Sequence, residues 1–92
     1  MSLQNLRRSH IPQGQHFKIV VNGREKIVTQ HELSYVDVVR LAFENPEFNE
    51  NIVYTVTFKR GPDNKPEGSM VDGVTVKVKP GMIFNVTRTD KS

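Results

Sequence analysis

Apolar and polar residues alternate in several stretches of the chain, most clearly in HFKIVVNGREKIVTQ. Every second residue from Phe17 to Val21 is apolar, which defines one face of a strand. Asn22-Gly23 follows, and these two residue types tolerate the positive φ angles that a type I′ turn requires. The sequence therefore predicts a β-hairpin over residues 17–29.

The apolar spacing becomes helical in HELSYVDVVRLAFENP. Ser34 can cap the amino end of this helix, and Asp37 stands three residues later, where a capping box has its acid. Pro46 ends the helix, because proline disfavours a helical residue before it. The predicted apolar face consists of Val36, Val39 and Phe43, widened by Leu41 and Ala42. So short a helix is stable only when it packs on something else.

The strand pattern returns at residues 52–59, where β-branched and aromatic residues are frequent. After the turn-forming loop GPDNKPEG, residues 69–71 are predicted to form a short edge strand. Two further strands are predicted over residues 74–78 and 82–88. One helix with several strands predicts an α+β roll, a mixed sheet with one helix across one face. We expect the last strand to lie beside the first, in the interior of the sheet.

The domain boundaries follow from where the periodic patterns begin and end. Residues 1–14 contain Pro12 and Gly14 and no clean period, which predicts a flexible amino-terminal arm. Residues 15–88 form the predicted domain, and residues 89–92 the predicted free carboxyl-terminal tail. The apolar residues of the arm could add as a strand to the sheet edge of another copy, giving self-association. These apolar residues are Leu3, Leu6 and Ile11.

The charge is unevenly spread, although the net charge is only +3. Residues 31–50 hold five acidic residues against Arg40, whereas residues 51–92 hold seven basic residues against four acidic ones. Such polarity can steer a partner. The chain has no cysteine, so neither a disulfide nor a thiolate metal site is expected. No apolar run has the length of a membrane span and no signal peptide is visible, so a cytoplasmic protein without membrane contact is expected.

Catalytic chemistry has no clear signature in this sequence. The histidines are spread out and lack metal-ligand spacing, and no glycine-rich phosphate loop occurs. We therefore expect no enzyme activity, no metal and no cofactor. These histidines are His10, His16 and His31.

Two surfaces could contact partners. The first is a basic patch of the kind that binds nucleic acid, but the aromatic residues Tyr54 and Phe58 share a face with the apolar core positions, so nucleic acid is not expected. The patch would consist of Lys59, Arg60, Lys77, Lys79 and Arg88. The second surface is the sheet face opposite the helix. Three apolar residues point to that face by alternation and predict a partner-binding surface: Val20, Val53 and Ile83.

Three phrases carry a resemblance to a known family: VNGREKIVTQHELSYVDVVRLAF, VYTVTFKRGPDNKPEGSM and VKVKPGMIFNVTRTDKS. Over residues 17–92 the chain resembles the bacterial multiubiquitin-domain family. Members of that family can carry several copies of the domain, whereas this chain shows no internal repeat. The resemblance implies the β-grasp fold of ubiquitin and a protein that is itself the substrate of other enzymes.

The implied partners are activating and conjugating enzymes and a processing or deconjugating peptidase. Ubiquitin-like modifiers are adenylated at a carboxyl-terminal carboxylate, passed to a thiol and joined to an amine. The residues implied in processing and conjugation are Arg88, Thr89, Asp90, Lys91 and Ser92. A narrow channel favours glycine at such an end, but the last glycine here is Gly81. Trimming by a peptidase, enzymes that accept another residue, or no conjugation through this end are all open.

Two other functions are compatible with the sequence. One is a protein-binding or self-assembling module of the same fold that is never conjugated. The other is a sulfur carrier, which needs a terminal thiocarboxylate and is disfavoured because the chain lacks a carboxyl-terminal Gly-Gly.

Overall fold

The computed structural model describes residues 16–91. The predicted arm, residues 1–14, and Ser92 therefore lie outside the described residues. Seven strands and one helix are found within the described part. They are β1 (Phe17–Val21), β2 (Arg24–Val28), β3 (Glu32–Ser34), α1 (Tyr35–Ala42), β4 (Ile52–Lys59), β5 (Gly68–Met70), β6 (Thr75–Lys77) and β7 (Ile83–Asp90). The helix α1 is too short to cross a membrane.

Five strands form one mixed sheet in the order β2-β1-β7-β4-β5. The last strand, β7, lies between β1, to which it is parallel, and β4, to which it is antiparallel. This confirms that the last strand occupies the interior of the sheet beside the first. β7 therefore joins two hairpin-like halves that share no other strand pairing.

The β1–β2 hairpin turns at Asn22-Gly23, as predicted. Their φ angles are 53° and 80°, and Val21 pairs with Arg24, so a two-residue turn connects the strands. The Asn22 side chain also reaches the central strand. Its Nδ2 donates to the Val86 carbonyl at 3.1 Å, and its Oδ1 accepts from the Val86 amide at 2.7 Å. The carboxamide thus imitates a peptide group and extends the β1–β7 pairing by one rung.

The helix α1 begins as the sequence predicts and ends earlier. The Ser34 hydroxyl accepts from the Asp37 amide at 3.1 Å, while the Asp37 carboxylate accepts from the Ser34 amide at 3.0 Å, completing a capping box. The helix ends at Ala42, and Phe43 is already extended with φ −129°. Val38 and Val39 are fully buried, whereas Val36, predicted to face the core, is only half-buried.

Residues 32–34 stand at the start of the stretch that the sequence predicts as helical, but they form the separate strand β3. Leu33 pairs with Val76 of β6 in a two-stranded sheet, and its side chain is completely buried. Burial of this leucine explains the strand, because an extended backbone is needed to carry it into the core before the helix begins. The predicted strand over residues 74–78 is accordingly β6, outside the main sheet.

The core lies between the five-stranded sheet and α1. Its buried members are Ile19, Val21, Val28, Leu33, Val38, Val39, Tyr54, Val56, Phe58, Met70, Met82, Phe84 and Val86. The described residues include no buried polar or charged side chain. A mixed sheet of five strands with one helix across one face is a ubiquitin-like β-grasp fold, as predicted.

Candidate functional site

The carboxyl-terminal residues form the last rungs of the sheet rather than a free tail. Thr89 pairs with Val53 and Asp90 pairs with Ile52, and β7 ends only at Asp90. The Lys91 amide then donates to the Asn51 carbonyl at 2.6 Å. The prediction that the chain projects freely after Arg88 is therefore wrong for Thr89 and Asp90. These residues continue the alternation, and β4 begins early enough at Ile52 to pair with them.

Arg88 forms two ion pairs at this end of the sheet, on the face that carries α1. Its Nε donates to Asp90 at 2.9 Å and its Nη2 donates to Glu47 at 3.1 Å. The hydrogen bond that Arg88 donates to Asp90 raises the pKa of the Arg88 guanidinium, which stays cationic at any physiological pH. Both ion pairs are exposed to solvent, so they align the strand end and stabilise it little.

Tyr54 positions the loop that supplies Glu47. The Tyr54 hydroxyl donates to the Glu47 carbonyl at 2.8 Å. The rings of Phe43 and Phe48 pack on the Tyr54 ring with centroid distances of 5.7 and 5.5 Å. A buried residue of β4 therefore fixes both the loop after α1 and the acidic partner of Arg88.

An open groove of about 420 Å³ lies beside the end of β7. Its lining is Asn49, Asn51, Ile52, Asp90 and Lys91. The groove is open and of mixed polarity, and it offers two amides, one carboxylate and one amine beside the apolar Ile52. Such a surface can hold an extended peptide by hydrogen bonds.

The structure separates the three residues of the predicted partner-binding surface. Val20 and Ile83 are direct partners across the β1–β7 pair and lie together. Val53 pairs with Thr89, about 20 Å farther along β7 from Ile83. Two rungs of neutral polar residues lie between these ends on the same face, Thr57–Asn85 and Thr55–Thr87. The face opposite the helix is thus uncharged along its middle, and its use by a partner stays a prediction.

Sequence reasoning missed three exposed apolar side chains. Ile27 is 59 % exposed, Val71 is 64 % exposed and Phe48 is 48 % exposed. The two-residue turn pairs Ile27 with Lys18, which places Ile27 on the face opposite the helix, and this could have been deduced from the sequence. Nothing in the local pattern indicates that Phe48 stays half outside the core, because it lies in a loop without a period.

The remaining candidate residues do not converge. Lys59 pairs with Ile83 at one end of β7, whereas Arg88 lies near the other end, so the five basic residues form no single patch. The ring of His31 packs edge-on against Phe17 with centroids 5.5 Å apart, which is a packing role. His10, like the arm, lies outside the described residues.

Tyr35 links α1 to β4, and its ionisation should make the stability of the fold depend on pH in the alkaline range. Its hydroxyl donates to the Tyr54 carbonyl at 2.8 Å, and burial raises the pKa of Tyr35 above the usual 10.0. Below pH 10 the phenol is protonated in both the folded and the unfolded state, so its contribution to stability is complete. As the pH rises through the higher folded pKa that contribution is lost, because the unfolded phenol ionises first.

We expect Tyr35→Phe to lower the free energy of unfolding by about 0.5–1.5 kcal/mol at neutral pH, for one lost hydrogen bond. The variant should also lose less stability than the native chain between about pH 8 and about pH 11, the range around the ordinary tyrosine pKa. Urea midpoints measured across that range check both statements. Equal alkaline losses in the two proteins would show that Tyr35 is not the titrating group.

Comparison with known proteins gives one family. The model of the multiubiquitin family matches residues 17–90, which is nearly the whole described domain and includes all of β7. No curated protein and no solved structure matches the chain significantly. The match and the β-grasp fold agree, since both describe one ubiquitin-like domain over the same residues. The chain belongs to the multiubiquitin family.

Proposed function

We propose that this ubiquitin-like domain is a protein modifier, the substrate of a bacterial activation and conjugation pathway rather than an enzyme. Activating and conjugating enzymes and a processing or deconjugating peptidase are its partners, and the cytoplasm is its location. The observation that carries the proposal is the position of β7. Phe84 and Val86 of this strand are buried in the core, whereas its last residues are exposed at one end of the molecule.

The end of β7 can be released without unfolding the domain. Beyond Arg88 the segment is held by main-chain hydrogen bonds to Asn51 and the start of β4, and by exposed ion pairs. Each such hydrogen bond contributes about 0.5–1.5 kcal/mol, which is a small part of a domain's stability. Local opening of a few terminal rungs therefore precedes global unfolding. The freed segment would supply the extended peptide that a narrow enzyme channel needs.

The residues at the end of β7 are better suited to removal by a peptidase than to direct adenylation of the carboxyl terminus. Thr89, Asp90 and Lys91 all carry a side chain that a channel shaped for glycine would exclude. A peptidase that binds an extended strand could use the groove beside Asn51 and Ile52 for docking. Cleavage within residues 88–92 would then create the carboxylate that is adenylated.

Intact-mass analysis tests the proposal. The full chain is incubated with its activating enzyme, conjugating enzyme, peptidase and ATP. We expect the mass of the chain to fall by the trimmed residues. We also expect a second protein to gain the mass of the trimmed chain less one water, since an amide bond forms. An intact and unreactive chain in the complete mixture would contradict the proposal.

A matched control separates trimming from direct activation. A chain carrying a carboxamide at Ser92 has no terminal carboxylate to adenylate until a peptidase removes the last residues. If trimming comes first, the carboxamide and the native chain react equally. If the native end is activated directly, only the native chain reacts.

A binding or assembling module that is never conjugated is the second candidate function. The uncharged face between Val20 and Val53, with Ile27 exposed beside it, favours this alternative. The same mass experiment distinguishes the two functions, because a binding module gains partners in a complex but forms no covalent product.

A further inference from the structure

A second surface lies away from the carboxyl-terminal end of β7, near the opposite end of β4. There a cleft of about 190 Å³ opens between β6 and the loop over residues 61–67. Phe58, Pro62 and Val76 give the cleft an apolar lining, and Lys65 and Lys77 stand at its rim. An engineered apolar cavity of about 150 Å³ accommodates benzene, so this cleft has room for one phenyl ring.

The loop wall of the cleft is preformed. The Gly61 amide donates to the Pro66 carbonyl at 2.7 Å, and the Lys65 amide donates to the Pro62 carbonyl at 2.9 Å. A side chain at Gly61 would lie 2.9 Å from the Lys65 carbonyl oxygen, so only glycine permits this close approach. The loop therefore presents Lys65 in a defined position, and a ligand need not order it.

The charge around the cleft selects an anionic occupant. Lys65 and Lys77 are exposed, and neither forms a salt bridge with another residue of the range 16–91. The nearby Asp63 is already paired with Lys79 at 3.3 Å. No carboxylate lines the cleft itself, and Glu32, which lies opposite Lys77 across the β3–β6 pair, forms no salt bridge with it. An apolar side chain flanked by acidic residues would fill the apolar floor and meet both lysines.

The chain itself carries such a segment. Residues 44–51, ENPEFNEN, contain three acidic residues and no basic one, with Phe48 near their middle. Glu47 is already paired with Arg88, which leaves Glu44 and Glu50 to meet the lysines. Phe48 is 48 % exposed, which is unusual for a phenylalanine. Its contact with Tyr54 at 5.5 Å and the bond from Tyr54 to the Glu47 carbonyl hold the loop in place. The ring is thus presented on an ordered acidic loop.

We propose that the acidic loop of one copy docks Phe48 into the Lys65–Lys77 cleft of a second copy. Phe48 cannot enter the cleft of its own copy. It packs on Tyr54, whereas the cleft lies at Phe58, about 13 Å farther along β4. Since loop and cleft are different surfaces, the contact is head-to-tail and leaves one free loop and one free cleft on each pair. Copies can therefore add in series.

The contact is small and partly electrostatic, so the association is weak and reversible. We expect a dissociation constant on the order of 10–1,000 µM at low salt. Raising the salt to about 1 M shortens the screening length to about 3 Å and should weaken the association further. The face opposite the helix takes no part. The acidic loop adjoins the carboxyl-terminal end, because Glu47 pairs with Arg88 and the Asn51 carbonyl accepts from Lys91. The contact between copies needs no conjugation, however, so sedimentation without the partner enzymes tests it separately from the proposed function.

Sedimentation of the full chain across a range of concentrations tests the proposal. The native chain should show a mean mass that rises with concentration. Phe48→Ala should weaken the association at least about tenfold, by the transfer free energy of a buried aromatic ring. Glu44→Lys combined with Glu50→Lys should do the same without disturbing the Phe48–Tyr54 contact. On the other surface, Lys65→Glu combined with Lys77→Glu should have an equal effect.

Mixing the variants gives the sharpest result. Phe48→Ala keeps an intact cleft, and the double lysine variant keeps an intact loop. Each variant alone should be monomeric. A mixture of the two should form dimers and nothing larger, because only one loop and one cleft of each dimer are functional. Ile27→Ala and Lys18→Glu are matched controls on the face opposite the helix and should associate like the native chain. A monomeric native chain, association that survives both sets of changes, or a mixture that stays monomeric would each overturn the proposal.

Discussion

Replacing Phe84 by alanine should lower the free energy of unfolding by about 3–5 kcal/mol, the usual cost of removing a buried aromatic ring. Phe84 lies on the central strand, is completely buried and pairs with Phe58 across β4 and β7. The two rings are 6.2 Å apart. The total stability of a small domain is about 5–15 kcal/mol, so this single change removes a large part of it.

Urea denaturation of the native chain and of Phe84→Ala measures the loss from the change in midpoint at a constant slope. Phe48→Ala is the matched control, because it removes the same ring from a half-exposed position. Its cost should be no more than about 1.5 kcal/mol, the upper value for one aromatic pair. Similar losses in the two variants would mean that the central strand is not the main support of the core.

The second large effect is expected at Asn22, whose side chain bonds both the amide and the carbonyl of Val86. Asn22→Gly keeps the positive φ of 53° without strain but removes both bonds. We expect a loss of about 1–3 kcal/mol, because the Val86 groups lose their partners. Asn22→Ala should cost about 1–2 kcal/mol more, since alanine is strained in the left-handed region. Urea denaturation checks both values.

Asn85→Ala provides the control for Asn22, because Asn85 neighbours Val86 on β7 but its side chain is exposed. Its replacement should change the stability by no more than about 0.5 kcal/mol, as for most surface sites. Hydrogen exchange at the Val86 amide gives an independent measure and should accelerate in Asn22→Gly but not in Asn85→Ala. If Asn22→Gly were as stable as the native chain, water would be replacing the lost hydrogen bonds without a loss of free energy.

The hairpin, the cap of α1 and the interior position of β7 could be predicted from the sequence because local chemistry determines them. Asn22-Gly23 allows few turns, Ser34 and Asp37 cap each other, and a strongly apolar last strand needs neighbours on both sides. The strand β3 could not be predicted in this way. Its three residues extend only because Leu33 is buried and pairs with β6, some 40 residues later, which is a tertiary effect.

The candidate sites were harder to predict than the fold. The polar character of residues 89–92 predicts a free tail, but strand pairing is a property of the main chain and continues through Thr89 and Asp90. The grouping of Val20 with Ile83 follows from register, and only a known strand order separates Val53 from them. Phe48 and the Lys65–Lys77 cleft depend on loop conformations, which no periodic pattern encodes.

The central place of β7 also determines when the domain can fold during synthesis. The halves β1–β2 and β4–β5 emerge from the ribosome first. Their inner strands, β1 and β4, each lack one neighbour until residues 83–90 are synthesised. A nascent chain that stops short of these residues cannot close its sheet, and its apolar surfaces stay open to chaperones and proteases. Only chains whose carboxyl-terminal strand has been fully translated can therefore fold.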